Sequence, residues 1–198
     1  MQETIKRIKQ SFRLRMNGVA SQSMRTKGVD YKLNWGVSLP DLKAMAAEYG
    51  KDYDLAVALW KENVRECKIM ATMIMPAENM LPDLVELWME ETTTQELAEL
   101  AVFNLYQYLP FSADLAFEWI ASDKPLYLLS GFQLLACIFK QKKEPNERDI
   151  NEFLDQAQVA LDAESLSIKH AVMNALYAFC DLGDDYERLA HSALPGYQ

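Results

Sequence analysis

Three stretches decide the fold: DLAVALW at residues 54–60, DLVELW at 83–88 and DLAFEW at 114–119. Each sets an Asp ahead of a Leu and closes on a Trp, and each is followed by a second, more apolar segment. The recurrence is about thirty residues, the period of repeats in which two helices make one unit. One such unit cannot bury its apolar face alone, so neighbours must stack and share a continuous core.

Working outward, apolar residues recur at three- and four-residue spacing along nearly the whole chain, with no sustained alternation of period two. Residues 2–16 read as a basic amphipathic helix with Ile5, Ile8, Phe12 and Leu14 turned inward. Residues 17–37 read as loop-rich, punctuated by Gly18, Gly28 and Gly36. Ser38, Pro40 and Asp41 predict a helix start, and that helix ends near Gly50. Asp52 or Asp54 opens the next helix, and VRECKIMATMIM (64–75) forms a buried one stopped at Pro76. A threonine, Thr93 or Thr94, caps the helix that runs towards Pro110. Residues 125–140, 147–161, 165–181 and 184–193 complete the series. The expectation is an all-α chain, a HEAT-like or ARM-like helical-repeat solenoid (an α-α superhelix). It makes a single domain over 1–198, with 1–37 a basic N-terminal helix and loop and 38–198 stacked helix pairs.

Composition agrees with a globular helical protein: half of the 198 residues are apolar, and Gly and Pro number seven each. No apolar run reaches the roughly 18–20 residues of a membrane span, and the N-terminus lacks the apolar core of a secretory signal. Cys67, Cys137 and Cys180 are far apart in apolar sequence and read as small buried hydrophobes. The expectation is a cytoplasmic protein that does not engage a membrane.

The net charge of −9 is unevenly spread. Residues 1–32 carry Lys6, Arg7, Lys9, Arg13, Arg15, Arg25, Lys27 and Lys32 against Glu3 and Asp30. From residue 69 to 123 there is no Lys or Arg, while Glu78, Asp83, Glu86, Glu90, Glu91, Glu96, Glu99, Asp114, Glu118 and Asp123 fall there. A polyanion is drawn to the first segment and repelled by the second. Trp60, Trp88 and Trp119, at the ends of amphipathic helices, read as packing anchors. Trp35 lies in the loop among basic residues, where exposure is expected.

The stretch from Ser21 to Ile74 carries a resemblance. Its elements are Gly36-Val37, Leu39-Pro40 with Leu42, Leu55-Ala56, Leu59-Trp60, and Arg65-Glu66 with Lys68 and Ala71. In this it resembles the DNA alkylation repair (AlkD-like) family, and the likeness continues through ELAELAVFNL and IKHAVMNAL to cover most of the chain. The resemblance implies a curved helical solenoid with duplex DNA on its concave face. It also implies hydrolysis of the N-glycosidic bond of N3- or N7-alkylated purines without drawing the base into a pocket. Such chemistry leaves an oxocarbenium-like sugar, stabilised by a nearby carboxylate that can also position water.

By the same resemblance, Glu99 holds the position of the catalytic Asp, and Gln95 that of the Trp four residues before it. The family's Trp-x-Arg-Arg falls on Leu126, Tyr127, Leu128 and Leu129, and its Trp-Ala-Leu-Arg on Asn174, Ala175, Leu176 and Tyr177, with Lys169 and His170 just before. Candidate phosphate or base contacts are Arg13, Arg25, Lys27, Trp35, Lys140, Lys142, Lys143 and Lys169. Against the catalytic reading, Glu96 and Glu99 read as a solvated helix face, and Arg65-Glu66 as helix-start pairing or repeat-to-repeat hydrogen bonds. No metal-ligand spacing, phosphate loop or Ser/His/Asp set is present, so no cofactor and no metal is expected. Two functions follow: a repair protein binding duplex DNA in a salt-dependent way, as an alkylpurine glycosylase or as a binder; or a non-enzymatic scaffold that meets a basic protein partner through its acidic surface.

Overall fold

The computed structural model describes residues 1–29 and 31–196. Among them the chain forms twelve α-helices and no strand. The helices are α1 (Gln2–Leu14), α2 (Gly18–Thr26), α3 (Leu39–Tyr49), α4 (Tyr53–Trp60), α5 (Arg65–Ile74), α6 (Pro82–Glu90), α7 (Gln95–Asn104), α8 (Ser112–Ile120), α9 (Pro125–Lys140), α10 (Glu147–Leu161), α11 (Leu166–Cys180) and α12 (Asp184–Ala193). Two compact units divide them, Met1–Leu105 and Tyr106–Gln198. Residues 1–37 belong to the first unit together with α3 to α7.

Local chemistry explains most boundaries. The side chains of Ser38, Asp52 and Thr94 accept from the backbone N–H three residues on, at Asp41, Leu55 and Leu97, which satisfies donors that have no partner inside the helix. Asn146 and Ser165 do the same for α10 and α11. Gly50 ends α3 with φ 67°, a left-handed conformation that costs a glycine little.

In the first unit α5 packs against α3, α4 and α7. It is the most enclosed helix of that unit: Cys67, Ile69, Met70, Ala71 and Ile74 are fully buried, and so are Arg65, Glu66 and Thr72. In the second unit α9 holds the equivalent place, packed against α8 and α11. Its Gly131 makes that approach possible, since a Cβ there would lie 2.8 Å from the Ile120 backbone nitrogen. An aromatic cluster of Phe132, Phe139, Phe153 and Phe179 joins α9, α10 and α11.

Two expectations need correction. Residues 17–37 are not all loop, because Gly18–Thr26 forms α2, opened by the Asn17 side chain accepting from Ala20 N. Leu14 does not turn inward: Ile5, Ile8 and Phe12 are buried, but Leu14 is 85% exposed. Two residues beyond Phe12, it stands on the opposite face of a helix with 3.6 residues per turn. Trp60, Trp88 and Trp119 are all buried. Cys67 and Cys137 are buried as well, and Cys180 is half-buried.

Candidate nucleic-acid interface

The first unit centres its polar groups on the head of α5. Backbone hydrogen bonds from Leu33 N to Asn63 O and from Arg65 N to Leu33 O pin the chain before α3 against that head. The Arg65 guanidinium, 2% exposed, then reaches four oxygens. Its Nε and Nη2 donate to the two carboxylate oxygens of Glu96 at 2.7 and 2.6 Å, and its Nη1 donates to Val37 O and Glu66 Oε1. Glu66 in turn accepts from Val37 N. A paired guanidinium–carboxylate contact of this kind is strong and fixes geometry. Glu96 is therefore not part of a freely solvated face, a correction to the reading from sequence, while Arg65 makes the repeat-to-repeat hydrogen bonds anticipated for it.

Beside this network lies an open cleft of about 540 Å³ lined by Tyr31, Trp60, Lys61, Asn63, Lys68, Glu91 and Thr93. The rings of Trp60 and Trp88 stack with centroids 4.1 Å apart and planes within 2°. The Trp60 indole N–H donates to Glu91 at 2.7 Å. Lys68 sits with its ammonium 4.2 Å above the Trp60 ring and 3.7 Å from the Glu91 carboxylate. Burial holds the Lys68 ammonium below the ordinary lysine range, and Glu91 opposes that shift. Burial likewise raises the Tyr31 phenol, whose hydroxyl shares a 2.9 Å hydrogen bond with Thr94. The cross-repeat contacts share a separation: Arg65 to Glu96 and Trp60 to Glu91 both span 31 residues, and Asn104 to Thr72 spans 32. The sequence repeat is thus also the register in which polar side chains meet.

Glu99 lies on α7, half-buried, and accepts a 2.8 Å hydrogen bond from the amide of Gln95 one turn earlier. Arg13, Arg25 and Lys27 are exposed on or beside α1 and α2. Trp35 is not exposed as the sequence led us to expect: it is half-buried because its ring packs 5.7 Å from that of the buried Phe12, and its carbonyl accepts from Asn17 N. These residues share the first unit, and the four candidate lysines fall in the second. Lys140 and Lys143 are exposed at and after the end of α9, and Lys143 borders a cleft of about 380 Å³ that also holds Tyr108, Phe117, Glu144 and Asp149. Lys142 takes φ 59° and donates to Asp181 O at the end of α11. Lys169 is half-buried near the start of α11, so about 18 Å of helix separates it from Asp181. The lysines therefore do not form one cluster.

The Lys68, Trp60 and Glu91 group escaped the sequence reading, although all three residues stand in quoted motifs or in the acidic stretch. The usable signal was the repeat itself, because Trp60 and Glu91 are one period apart. Among the described residues, no group of three or more His, Cys, Asp or Glu side chains could hold a metal ion. No helix among them is long and apolar enough to cross a membrane.

Helix pairs of this kind, with buried polar side chains tied across repeats, define a HEAT-like helical-repeat protein. The fold is similar to a solved structure described as representing a new family of proteins related to the HEAT-like repeat DNA glycosylases, with affinity for branched DNA structures. That likeness has a TM-score of 0.83 at 16% identity and covers 96% of this chain and 81% of the other. The model of the DNA alkylation repair enzyme family matches residues 8–181, and the chain belongs to that family. No curated protein matches it in sequence.

Proposed function

We propose that this protein binds duplex DNA, branched duplex in particular, and acts by recognising DNA structure rather than by excising bases. The observation that carries the reading is the exposed cationic segment of α1 and α2 in an otherwise acidic chain. Lys9 pairs with Glu62, while Lys6, Arg7, Arg13, Arg15, Arg25, Lys27 and Lys32 stand exposed. Such a segment supplies the sequence-independent phosphate attraction on which DNA binding rests. Family membership and the fold shared with a protein of branched-DNA affinity support it.

Against excision stands the setting of Glu99. Its carboxylate is hydrogen-bonded by Gln95, which occupies the position the resemblance gives to an indole. Leu126, Leu128 and Leu129 are apolar where the resemblance expects a tryptophan and two arginines, so the groups that would steady a cationic base and its phosphate differ in kind. A specific observation favours a second reading, a scaffold for a basic protein partner. On α6, Asp83, Leu87 and Glu90 are exposed, as are Glu91 just after it and Leu81 just before it, the latter 68% exposed.

Fluorescence anisotropy with labelled linear, forked and four-way-junction DNA tests the proposal. Tighter binding to the branched forms is expected, with affinity falling steeply between about 50 and 200 mM salt. No binding at low salt removes the DNA reading in favour of the scaffold. Methylated duplex should release no N7-methylguanine; release that is lost in Glu99→Gln would restore excision and locate it.

A further inference from the structure

Between α1 and α2 the chain turns a corner whose apolar side chains point away from the core. Leu14 is 85% exposed, Met16 59% and Val19 83%, all within six residues. They do not continue the apolar stripe of α1, since Ile5, Ile8 and Phe12 are buried. Arg13 and Arg15 flank Leu14 and are exposed, as are Arg25 and Lys27 at the far end of α2.

The corner is firmly mounted. Asn17 Oδ1 accepts from Ala20 N at 3.0 Å, Asn17 N donates to Trp35 O at 2.8 Å, and Ser21 Oγ donates to Asn34 O at 2.6 Å. Gly36, at φ 69°, lies so close beneath that a Cβ would stand 2.4 Å from Asn17 O and 2.8 Å from Ser21 N. The tip is thus a small apolar point on a braced base, with Arg13 and Arg15 on either side of Leu14.

We propose that Leu14, Met16 and Val19 form a wedge that enters the base stack of DNA at a branch point, while Arg13 and Arg15 hold the adjoining phosphates. This rests on the DNA-binding reading above and assigns its preference for branches to named residues. Proteins that kink or open duplexes insert one or a few apolar side chains between base steps, and the cost is unstacking. At a branch the stack is already interrupted, so the same wedge meets less resistance there than in linear duplex. The charge around the tip complements phosphate. An anionic membrane surface is the weaker match, because a helix that lies on lipid needs a long apolar face, and that of α1 is turned into the core.

The test compares the full chain with the triple variant Leu14→Ser, Met16→Ser, Val19→Ser on a four-way junction and on linear duplex of equal length. A 2-aminopurine is placed at the branch. All three residues are exposed, so thermal unfolding should be unchanged. The wild type should prefer the junction and raise the 2-aminopurine signal. The triple variant should keep its linear-duplex affinity, lose the signal rise and bring the preference to within about twofold of unity. Leu14→Met with Val19→Ile should retain both. Arg13→Gln with Arg15→Gln should weaken both DNA forms alike. A triple variant that binds DNA and keeps its junction preference overturns the wedge while leaving the DNA-binding reading intact. A wild type that binds neither form overturns both, and binding to phosphatidylserine vesicles that the triple variant loses would assign the corner to lipid instead.

Discussion

The guanidinium of Arg65 on α5 and the carboxylate of Glu96 on α7 meet through two hydrogen bonds, at 2.7 and 2.6 Å, across one period of the repeat. The arginine is 2% exposed and the glutamate 33%. Arg65 also holds the fully buried Glu66 and the carbonyl of Val37, so the head of α5, the start of α3 and α7 are tied through one side chain.

Removing that side chain leaves the Glu66 carboxylate buried without its cation, the costly way to break a buried pair. Arg65→Ala is expected to lower stability by about 3–5 kcal/mol. Glu96→Gln keeps an acceptor and is partly solvated, so its cost is about 1 kcal/mol. Urea unfolding followed by circular dichroism measures both. An Arg65→Ala protein as stable as the wild type would show that the network does not hold the unit together.

Close approach of α8 and α9 depends on a missing side chain. A Cβ on Gly131 would lie 2.8 Å from Ile120 N, 2.9 Å from Ile120 Cγ2 and 3.0 Å from Trp119 C, and two of those atoms are backbone that cannot rotate away. Gly131→Ala is therefore expected to cost about 1–3 kcal/mol, despite the better helix propensity of alanine. The change should fall on the second unit, read by hydrogen exchange of α8 and α9. Unchanged protection in those helices would refute it.

The helix ends were legible because their causes are local. Ser38 announces a cap, as does one of Asp52 and Asp54 and one of Thr93 and Thr94, and the caps that form are Ser38, Asp52 and Thr94. What escaped the sequence depends on distant partners. Helix α2 was hidden because GVASQSMRT has no apolar stripe of its own, and its place is set by Asn34, Trp35 and Gly36 beyond it. Glu96 read as solvated because Arg65 stands 31 residues away, and a pairing across repeats becomes visible only once the period is used as a register. For the candidate site, the cationic arm was legible in the sequence, while Glu99 was singled out by resemblance alone. Neither could reveal that Gln95 would donate to that carboxylate, or that Leu14 would face outward.

The cysteines offer a check on packing. Burial pushes the Cys67 thiol up to about 12, and Cys137 and Cys180 are raised as well, in each case chiefly by burial. Thiolate is the reactive form, so a raised value and poor access both slow alkylation. At pH 8 a thiol-specific reagent should label Cys180 slowly and leave Cys67 and Cys137 untouched, with all three reacting in denaturant. Rapid labelling of Cys67 in the folded protein would contradict the enclosure of α5.

Lys68 gives the folded state a pH dependence with a definite sign. Its ammonium is buried, so its folded value lies below the ordinary 10.5 despite Glu91 beside it. Between the folded value and 10.5 the unfolded chain binds more protons at this site, and stability therefore rises with pH through that window. Below the window the protonated lysine is a standing cost to folding. Lys68→Met removes the cost and keeps an unbranched chain over the Trp60 ring, though it loses a cation–π contact of about 0.5–2 kcal/mol. Glu91 is 47% exposed and keeps the Trp60 indole N–H, so it is not stranded. The variant is expected to match or exceed the wild type by up to about 1 kcal/mol at pH 7. That advantage should shrink as the pH approaches 10.5, since the wild-type lysine discharges and the variant has nothing there to titrate. Lys51, also lowered by burial, is common to both proteins and cancels in the difference. Urea unfolding of both proteins at a series of pH values decides the matter. A variant that is less stable at pH 7 by a margin independent of pH would mean that Lys68 stabilises the fold through its contacts with Trp60 and Glu91.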